Sequence, residues 1–179
     1  MCYVLNAEEI NRLIVSLAEE IKDKLPQNQE IAFLGIQPRG IHFGQQIFDY
    51  IKKNYPQYNI QYGTVDITLY RDDLYEHLSI PHHTTIPFNL HQKTICLFDD
   101  VLFTGRTIRA ALEALNNFGR PNQVLLCVLI DRSQFRQLPI QANFVGKILD
   151  VLPEQKIEVN IDENKSKHFV KLVERKEHA

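Results

Sequence analysis

The chain has 179 residues, of which 44% are hydrophobic and 23% are charged, a composition typical of one globular domain. Its 20 basic and 22 acidic side chains give a formal net charge of −2, which argues against wholesale electrostatic binding of nucleic acid. No apolar run approaches the roughly 20 residues of a membrane helix, and the N-terminus lacks the pattern of a signal peptide. We therefore expect a single cytoplasmic domain over residues 1–179, with no membrane partner.

The first half of the chain alternates between helical and strand patterns. Apolar residues at helical spacing predict a helix that Asn6 caps and Pro26 ends. Three further elements are predicted: a buried strand, a second helix and a strand with one wetter face, over 31–36, 41–54 and 60–70. Residues 71–92 show little periodicity and predict a long flap, which is typically functional or mobile. Its histidines favour a polar flap over a metal site: His77, His82, His83 and His91.

The second half continues the alternation. A buried strand is predicted over 95–98, and a helix over 108–115 that Gly119 terminates. Residues 124–130 form a near-continuous apolar run, typical of an interior parallel strand. Shorter strands are expected near 143–148, 156–161 and 168–173. Helices that alternate with buried strands predict an α/β sheet with right-handed crossovers.

The cysteines point to a reducing environment. The chain has three, and no Cys-x-x-Cys pair, which argues against a thiolate zinc site. Cys96 and Cys127 lie inside apolar runs, so we expect them to be reduced thiols in the core.

Residues 95–107, with the sequence ICLFDDVLFTGRT, are the most informative segment. Asp99 and Asp100 follow four apolar residues and are expected at the carboxyl end of a strand, where open α/β sheets bind ligands. Adjacent carboxylates repel each other at a buried edge, so ligand hydroxyls or a hydrated cation would offset their cost. The Thr-Gly-Arg-Thr sequence at 104–107 leads into a helix, where N–H groups and hydroxyls converge on a phosphate. A sugar phosphate carries both kinds of group, hydroxyls for the acids and a phosphate for the turn.

This segment resembles the phosphoribosyl-pyrophosphate motif of type I phosphoribosyltransferases. The chain is more closely similar to the PyrR family, pyrimidine operon regulators that also have uracil phosphoribosyltransferase activity. The further segments that carry the likeness, in family order, are the pyrophosphate loop GIQPRG at 35–40, the flap entry DITLYRDD at 66–73, and the hood residues at 131–132 and 138–140.

The resemblance implies a type I phosphoribosyltransferase fold, with a central, mostly parallel sheet flanked by helices. It also implies a flexible flap over about 71–92 and a small hood over about 132–179, to which the N-terminus contributes. The implied reaction converts uracil and phosphoribosyl pyrophosphate to UMP and pyrophosphate. We also expect a homodimer or a higher homo-oligomer.

The resemblance also implies roles for individual residues. The catalytic set comprises Asp99 and Asp100, which would bind the ribose hydroxyls directly or through Mg²⁺ and its waters, and Arg39, which would face the leaving pyrophosphate. The implied substrate-binding residues are Pro38, Arg39, Gly40, Asp99, Asp100, Val101, Leu102, Phe103, Thr104, Gly105, Arg106, Thr107, Arg132 and Ile157. The flap entry consists of Tyr70, Arg71, Asp72 and Asp73. Pro38 departs from the Lys-Thr-Arg form of the family's loop, and its missing N–H is expected to weaken pyrophosphate binding.

RNA binding is the second activity that the resemblance raises. In the family, a basic face grips a leader messenger RNA when UMP is bound. The corresponding positions on the first helix here are Arg12, Val15, Ser16 and Glu19. Gln141 stands where an arginine is usual, although Lys147 remains. Affinity for RNA depends on the number of phosphates neutralised, so we expect weak or absent attenuation activity.

Two alternatives to the uracil enzyme stay open at this point. A non-catalytic regulator that senses UMP and binds RNA would keep the sugar-phosphate site. A purine phosphoribosyltransferase would share the segment at 103–107 that is expected to hold the 5′-phosphate, here called the phosphate loop. A P-loop NTPase is excluded at the level of the motif, because Gly40 is followed by Ile41 and His42 rather than by Lys and Ser or Thr.

Overall fold

The computed structural model describes residues 2–27, 29–72, 83–152 and 154–174, which form eight strands and three α-helices. The strands are β1 (Cys2–Leu5), β2 (Ile31–Ile36), β3 (Ile60–Val65), β4 (Thr94–Leu102), β5 (Gln123–Asp131), β6 (Phe144–Ile148), β7 (Gln155–Asn160) and β8 (Phe169–Glu174). The helices are α1 (Ala7–Lys24), α2 (Gly40–Asn54) and α3 (Arg106–Leu115).

The strands form two sheets. The larger has the order β3-β2-β4-β5-β6 and is parallel throughout, whereas the smaller, β1-β8-β7, is antiparallel. The chain leaves β2 through α2 towards β3 on one side, and leaves β4 through α3 towards β5 on the other. The strand order therefore reverses between β2 and β4, which is where open α/β sheets bind ligands. This architecture confirms the predicted α/β fold, with a central parallel sheet flanked by helices.

A reciprocal cap starts α1. The amide of Glu9 donates to Asn6 Oδ1 at 3.0 Å, and Glu9 Oε2 accepts from the amide of Asn6 at 2.8 Å. Both are donors that a helix start otherwise leaves unsatisfied. The predicted cap is confirmed, and the helix ends at Lys24, shortly before Pro26.

The hydrophobic core lies on both faces of the larger sheet, because side chains alternate along its buried strands. On β2, Phe33 packs in the cluster that contains α1 and α2, whereas Leu34 packs in the cluster that contains α3. Cys96 and Ile95 divide between the two clusters in the same way on β4. Cys96 and Cys127 are free and fully buried, as predicted for core thiols, and burial raises the pKa of each.

The strand predicted over 60–70 is too long. β3 ends at Val65, and a 3₁₀ turn follows over Thr68–Tyr70. The cause is local, because Asp66 Oδ1 accepts hydrogen bonds from the amide of Thr68 at 3.1 Å and from its hydroxyl at 2.7 Å. A side chain that bonds to the backbone two residues ahead turns the chain out of the extended conformation.

The strand predicted over 95–98 is too short. β4 continues through both acids to Leu102, because its ladder with β5 extends to the pair of Leu102 and Asp131. Its ladder with β2 ends earlier, at the pair of Gly35 and Phe98. Beyond Phe98, β4 is therefore paired on one side only, and the open edge faces the start of α2.

Part of the predicted flap lies outside the described residues, namely 73–82, which include Asp73, His77 and His82. On its return the flap contacts the larger sheet, since Thr85 forms an antiparallel bridge with Thr64 of β3. Among the helices that the structure describes, none has the length and apolar character needed to cross a membrane.

Gly40 allows α2 to begin directly against β4. A Cβ at this position would lie 2.1 Å from the carbonyl oxygen of Phe98 and 3.1 Å from the Cα of Asp99. Both of these atoms are backbone, so a side chain at position 40 would have to separate the loop from the strand that carries the acids.

We predict that Gly40→Ala lowers the free energy of unfolding by about 1–3 kcal/mol, because overpacking forces the backbone to shift. Urea denaturation measures the change. Gln45→Ala on the same helix is the matched control. The side chain of Gln45 donates to the exposed Asp49, and its loss should change stability by less than about 0.5 kcal/mol. Equal stability of the two variants would contradict the close approach.

Candidate functional site

Asp99 and Asp100 are each only 6% exposed, yet their side chains line different cavities. Asp99 lines a cavity of about 800 Å³ together with residues 103–107, whereas Asp100 lines a cavity of about 200 Å³ together with Arg39. The separation follows from the strand, because successive side chains point to opposite faces. The predicted acids are thus adjacent in the chain, but their side chains lie on opposite sides of β4.

Burial sets the electrostatics of the acid pair. It raises the pKa of Asp99, which the neighbouring carboxylate of Asp100 raises further. Burial also raises the pKa of Asp100, and the charge of Arg39 partly opposes this. Backbone amides stabilise one oxygen of each side chain: Asp100 N donates to Asp99 Oδ1 at 3.0 Å, and Val101 N donates to Asp100 Oδ1 at 2.8 Å.

The second oxygen of Asp100 is left without a hydrogen-bond donor among the described residues. Arg39 Nη1 lies 3.7 Å from this Oδ2, close enough for charge attraction but too far for a hydrogen bond. A buried, unpaired carboxylate oxygen that faces a cavity fits a ligand hydroxyl or a cation.

The donor set fits Mg²⁺ better than a metal held by protein alone. Within the described residues there is no group of three or more His, Cys, Asp or Glu side chains that could hold an ion. Mg²⁺ keeps several waters and binds through one or two carboxylates plus substrate oxygens. Asp99 and Asp100 can supply the carboxylates.

The turn between β4 and α3 is shaped to receive an anion. Gly105 has φ 92°, a left-handed conformation that residues with a side chain rarely adopt, and it leads directly into α3. The first turn of α3 has no acidic residue, and its N-cap Gly105 has no side chain to cap it, although the amide of Arg106 donates to Thr104 Oγ1 at 3.4 Å. The helix begins on the wall of the larger cavity, where the positive end of its dipole favours an anion. Phe103, Thr104, Gly105, Arg106 and Thr107 all line that cavity, as do Val101 and Leu102.

The flap entry is pinned to α3. Asp72 forms an ion pair with Arg106, and Arg109 Nη2 donates to the carbonyl oxygen of Tyr70 at 2.7 Å. Arg71 and Asp72 line the larger cavity together with the phosphate loop. These predicted flap residues therefore lie at the cavity rim.

Arg132 and Ile157 do not line either cavity among the described residues. Arg132 is 5% exposed, and its guanidinium lies 4.2 Å from the ring centre of Phe103 and 5.0 Å from that of Phe135. Arg132 therefore packs against Phe103 and Phe135, two residues that line the larger cavity. Ile157 lies on β7 in the hydrophobic core, 4% exposed, because its face of the smaller sheet packs inward.

The cavities include residues that the sequence did not single out. The small cavity is lined by Pro38, Arg39, His42, Asp100, Val159, Asn160 and Ile161. His42 lies on the first turn of α2, three positions after Arg39. Helical spacing could therefore have indicated that His42 lies close to Arg39. β7 of the smaller sheet supplies Val159 and Asn160, and Ile161 follows it directly; no local pattern gives a signal for these three residues. Phe135 and Gln137 reach the large cavity from the hood in the same way.

We predict that Asp99→Asn stabilises the Mg²⁺-free protein at neutral pH, because it removes a buried charge beside Asp100. The folded-state pKa of Asp99 is raised, so the native state binds more protons than the unfolded state above the unfolded pKa of about 3.9. Stability is therefore lost as the pH rises from there towards the raised pKa, and the advantage of the variant should vanish below about pH 3.9.

Urea denaturation across this range, with a chelator present, measures the effect. The exposed Asp150→Asn is the matched control and should show no such pH-dependent gain. An Asp99→Asn variant that is less stable than the native chain at neutral pH would show that the carboxylate is not under electrostatic stress.

The profile of the phosphoribosyl transferase domain family matches residues 4–168. The Bifunctional protein PyrR of Picosynechococcus sp. is 42% identical over 95% of this chain and 96% of its own length. The Bifunctional protein PyrR of Thermus thermophilus is 41% identical over 96% of this chain and 95% of its own length.

Solved structures give the same architecture. A hypoxanthine-guanine phosphoribosyltransferase from Bacillus anthracis matches with a TM-score of 0.72 at 16% identity, covering 97% of this chain and 98% of that one. A hypoxanthine phosphoribosyltransferase from Staphylococcus aureus matches with a TM-score of 0.67 at 19% identity, covering 84% and 80%. At these identities, the likeness shows the fold alone.

Proposed function

Because this chain belongs to the phosphoribosyl transferase domain family, we propose that it converts uracil and phosphoribosyl pyrophosphate to UMP and pyrophosphate. The observation that carries the proposal is the β4–α3 turn, where buried acids lie beside an anion-binding helix start at the switch point of the sheet. The likeness of the flap entry and hood to the PyrR family, and the PyrR relatives, support uracil over a purine.

In the proposed reaction, N1 of uracil bonds to C1 of the ribose as the bond from C1 to the pyrophosphate oxygen breaks, and the N1 proton is released to water. Positive charge grows on the ribose ring and negative charge grows on the leaving group. The protein forms no covalent bond, so positioning and charge stabilisation supply the rate.

The phosphate loop would bind the 5′-phosphate. Thr104 and Thr107 offer hydroxyls, and the start of α3 offers N–H groups, all on the wall of the larger cavity. Anchored there, the phosphate places the ribose above the end of β4, within reach of Asp99 and Asp100.

The two acids and Arg39 would act on the reacting end. Asp99 and Asp100 would bind ribose hydroxyls and favour positive charge on the ring, and they would hold Mg²⁺ through its waters. When bound, Mg²⁺ would neutralise charge on the leaving pyrophosphate. Arg39, with a side chain 54% exposed at the small cavity, would meet the same leaving group. We place the base on the hood side of the larger cavity, beside Val101 and Phe135.

The decisive assay follows nucleotide formation by chromatography from phosphoribosyl pyrophosphate and Mg²⁺, with uracil, hypoxanthine, guanine and orotate side by side. We predict UMP as the main product. Asp100→Asn should lower kcat/KM at least about 100-fold, corresponding to about 3 kcal/mol of lost transition-state stabilisation. The exposed Asp150→Asn is the matched control and should retain native activity.

Other results would indicate a different function. A purine nucleotide in place of UMP would identify a purine transferase. If no base reacts while UMP still binds, the site serves as a sensor, and the regulator becomes the leading function.

Regulation through RNA is the second candidate, since the PyrR relatives are named bifunctional. We propose that this activity is weak here. Glu19 of α1 accepts hydrogen bonds from the hydroxyls of Tyr50 and Tyr55, both at 2.8 Å, which lower its pKa and keep it charged. On the same helix, Arg12 forms a 3.0 Å ion pair with Glu8. Glu19 also lies 3.4 Å from Lys22 Nζ, so the described part of this face presents two ion pairs, Arg12 with Glu8 and Lys22 with Glu19.

We predict that a pyrimidine leader transcript binds with a Kd above about 1 µM at physiological salt, in the range of non-specific contacts. Fluorescence anisotropy with and without UMP measures the affinity. Glu19→Gln, which removes the anion without adding a cation, should change the affinity only slightly. Tight binding by the native chain that depends on UMP would overturn this view.

A further inference from the structure

The backbone of the phosphate loop is braced by the hood segment, which we define as residues 131–140. Leu102 O accepts from the amide of Arg132 at 2.9 Å. Two residues on, Thr104 O accepts from the amide of Gln137 at 3.0 Å. Both carbonyl oxygens are therefore directed towards the hood segment.

The carbonyl between them is held differently. Phe103 O accepts from Nη1 of Arg136, and Nη2 of the same guanidinium donates to Asp131 Oδ1. Both side chains are largely buried, with 16% exposure for Arg136 and 8% for Asp131. The planar guanidinium presents its donors in a fixed fork, so one side chain satisfies a carbonyl and a carboxylate at once.

The direction of these carbonyl oxygens affects how well the loop binds an anion. A carbonyl oxygen carries partial negative charge, so one that turned into the larger cavity would repel a phosphate. Backbone donors fix the oxygens of Leu102 and Thr104, whereas a side chain fixes that of Phe103. Position 136 is therefore where a substitution releases a loop carbonyl without altering a backbone donor.

We propose that Arg136 is a positioning residue for the 5′-phosphate of the substrate. It acts through Phe103, by keeping the carbonyl turned away from the bound anion, and it neutralises Asp131 behind the loop. Arg136 itself does not line the larger cavity among the described residues. The inference rests on the proposed function, since it assigns the phosphate of a phosphoribosyl group to this loop.

Calorimetry with two probes tests the inference. Arg136→Met should weaken the binding of ribose 5-phosphate about tenfold, as expected when one charged hydrogen-bond donor is lost. The binding of inorganic pyrophosphate with Mg²⁺, on the side of Arg39, should change less than about twofold. A general loss of structure would weaken both ligands alike. The exposed Arg120→Met is the matched control and should bind both probes as the native chain does.

A second variant separates a loss of folding from a loss of phosphate positioning. Arg136→Met leaves the carboxylate of Asp131 buried and unpaired, which is strongly destabilising. The double variant Asp131→Asn with Arg136→Met removes that charge but still lacks the donor to Phe103. We expect the double variant to bind ribose 5-phosphate about tenfold more weakly than the native chain.

Two outcomes distinguish a failure of the role of Arg136 from a failure of the proposed function. If the native chain binds ribose 5-phosphate and the folded double variant binds it equally well, the role of Arg136 is overturned and the proposed function stands. If the native chain binds neither ribose 5-phosphate nor pyrophosphate and forms no nucleotide, the proposed function fails and this inference fails with it.

Discussion

Two neighbouring carboxylates are buried at the end of β4, and the rest of the site is arranged around that electrostatic cost. Taking two like charges out of water is unfavourable, and the raised pKa of Asp99 and Asp100 records the stress. Each acid has one oxygen on a backbone amide, and Arg39 lies near the second oxygen of Asp100. The ionised form of the pair is thus only partly compensated in the free protein, and a ligand hydroxyl or cation would stabilise it further.

The acid pair forms a site because β4 extends beyond its neighbour β2. β4 runs past the end of its ladder with β2, so its last residues are paired with β5 alone. The start of α2 approaches the open edge, and only a glycine at position 40 permits the contact with Phe98. Because side chains alternate along β4, the strand separates a phosphate-loop cavity from a smaller cavity beside Arg39. In the proposed reaction, the two ends of phosphoribosyl pyrophosphate occupy these two sides.

The precision of the phosphate loop comes from the scaffold behind it. A short turn with a glycine at φ 92° is not rigid by itself, but its carbonyl oxygens are bonded to the hood segment and its aromatic residue packs against Arg132. The flap entry is fastened to α3 through Asp72 and Arg106. Anion binding, flap position and hood are therefore coupled through one stretch of chain, as expected when a preorganised site depends on its supporting contacts.

The amino-acid sequence by itself determined the local features: the cap at Asn6, the alternation of buried strands and helices, and the acid pair followed by a glycine turn. Each rests on spacing within a few residues, which a single chain segment displays. The tertiary structure decided what depends on distant partners. The length of β4 was set by β5, Ile157 was taken into the core, and Arg136 reached the carbonyl of Phe103, 33 residues away in the chain. No local period reports such contacts, because which face of a strand or loop is buried depends on what packs against it.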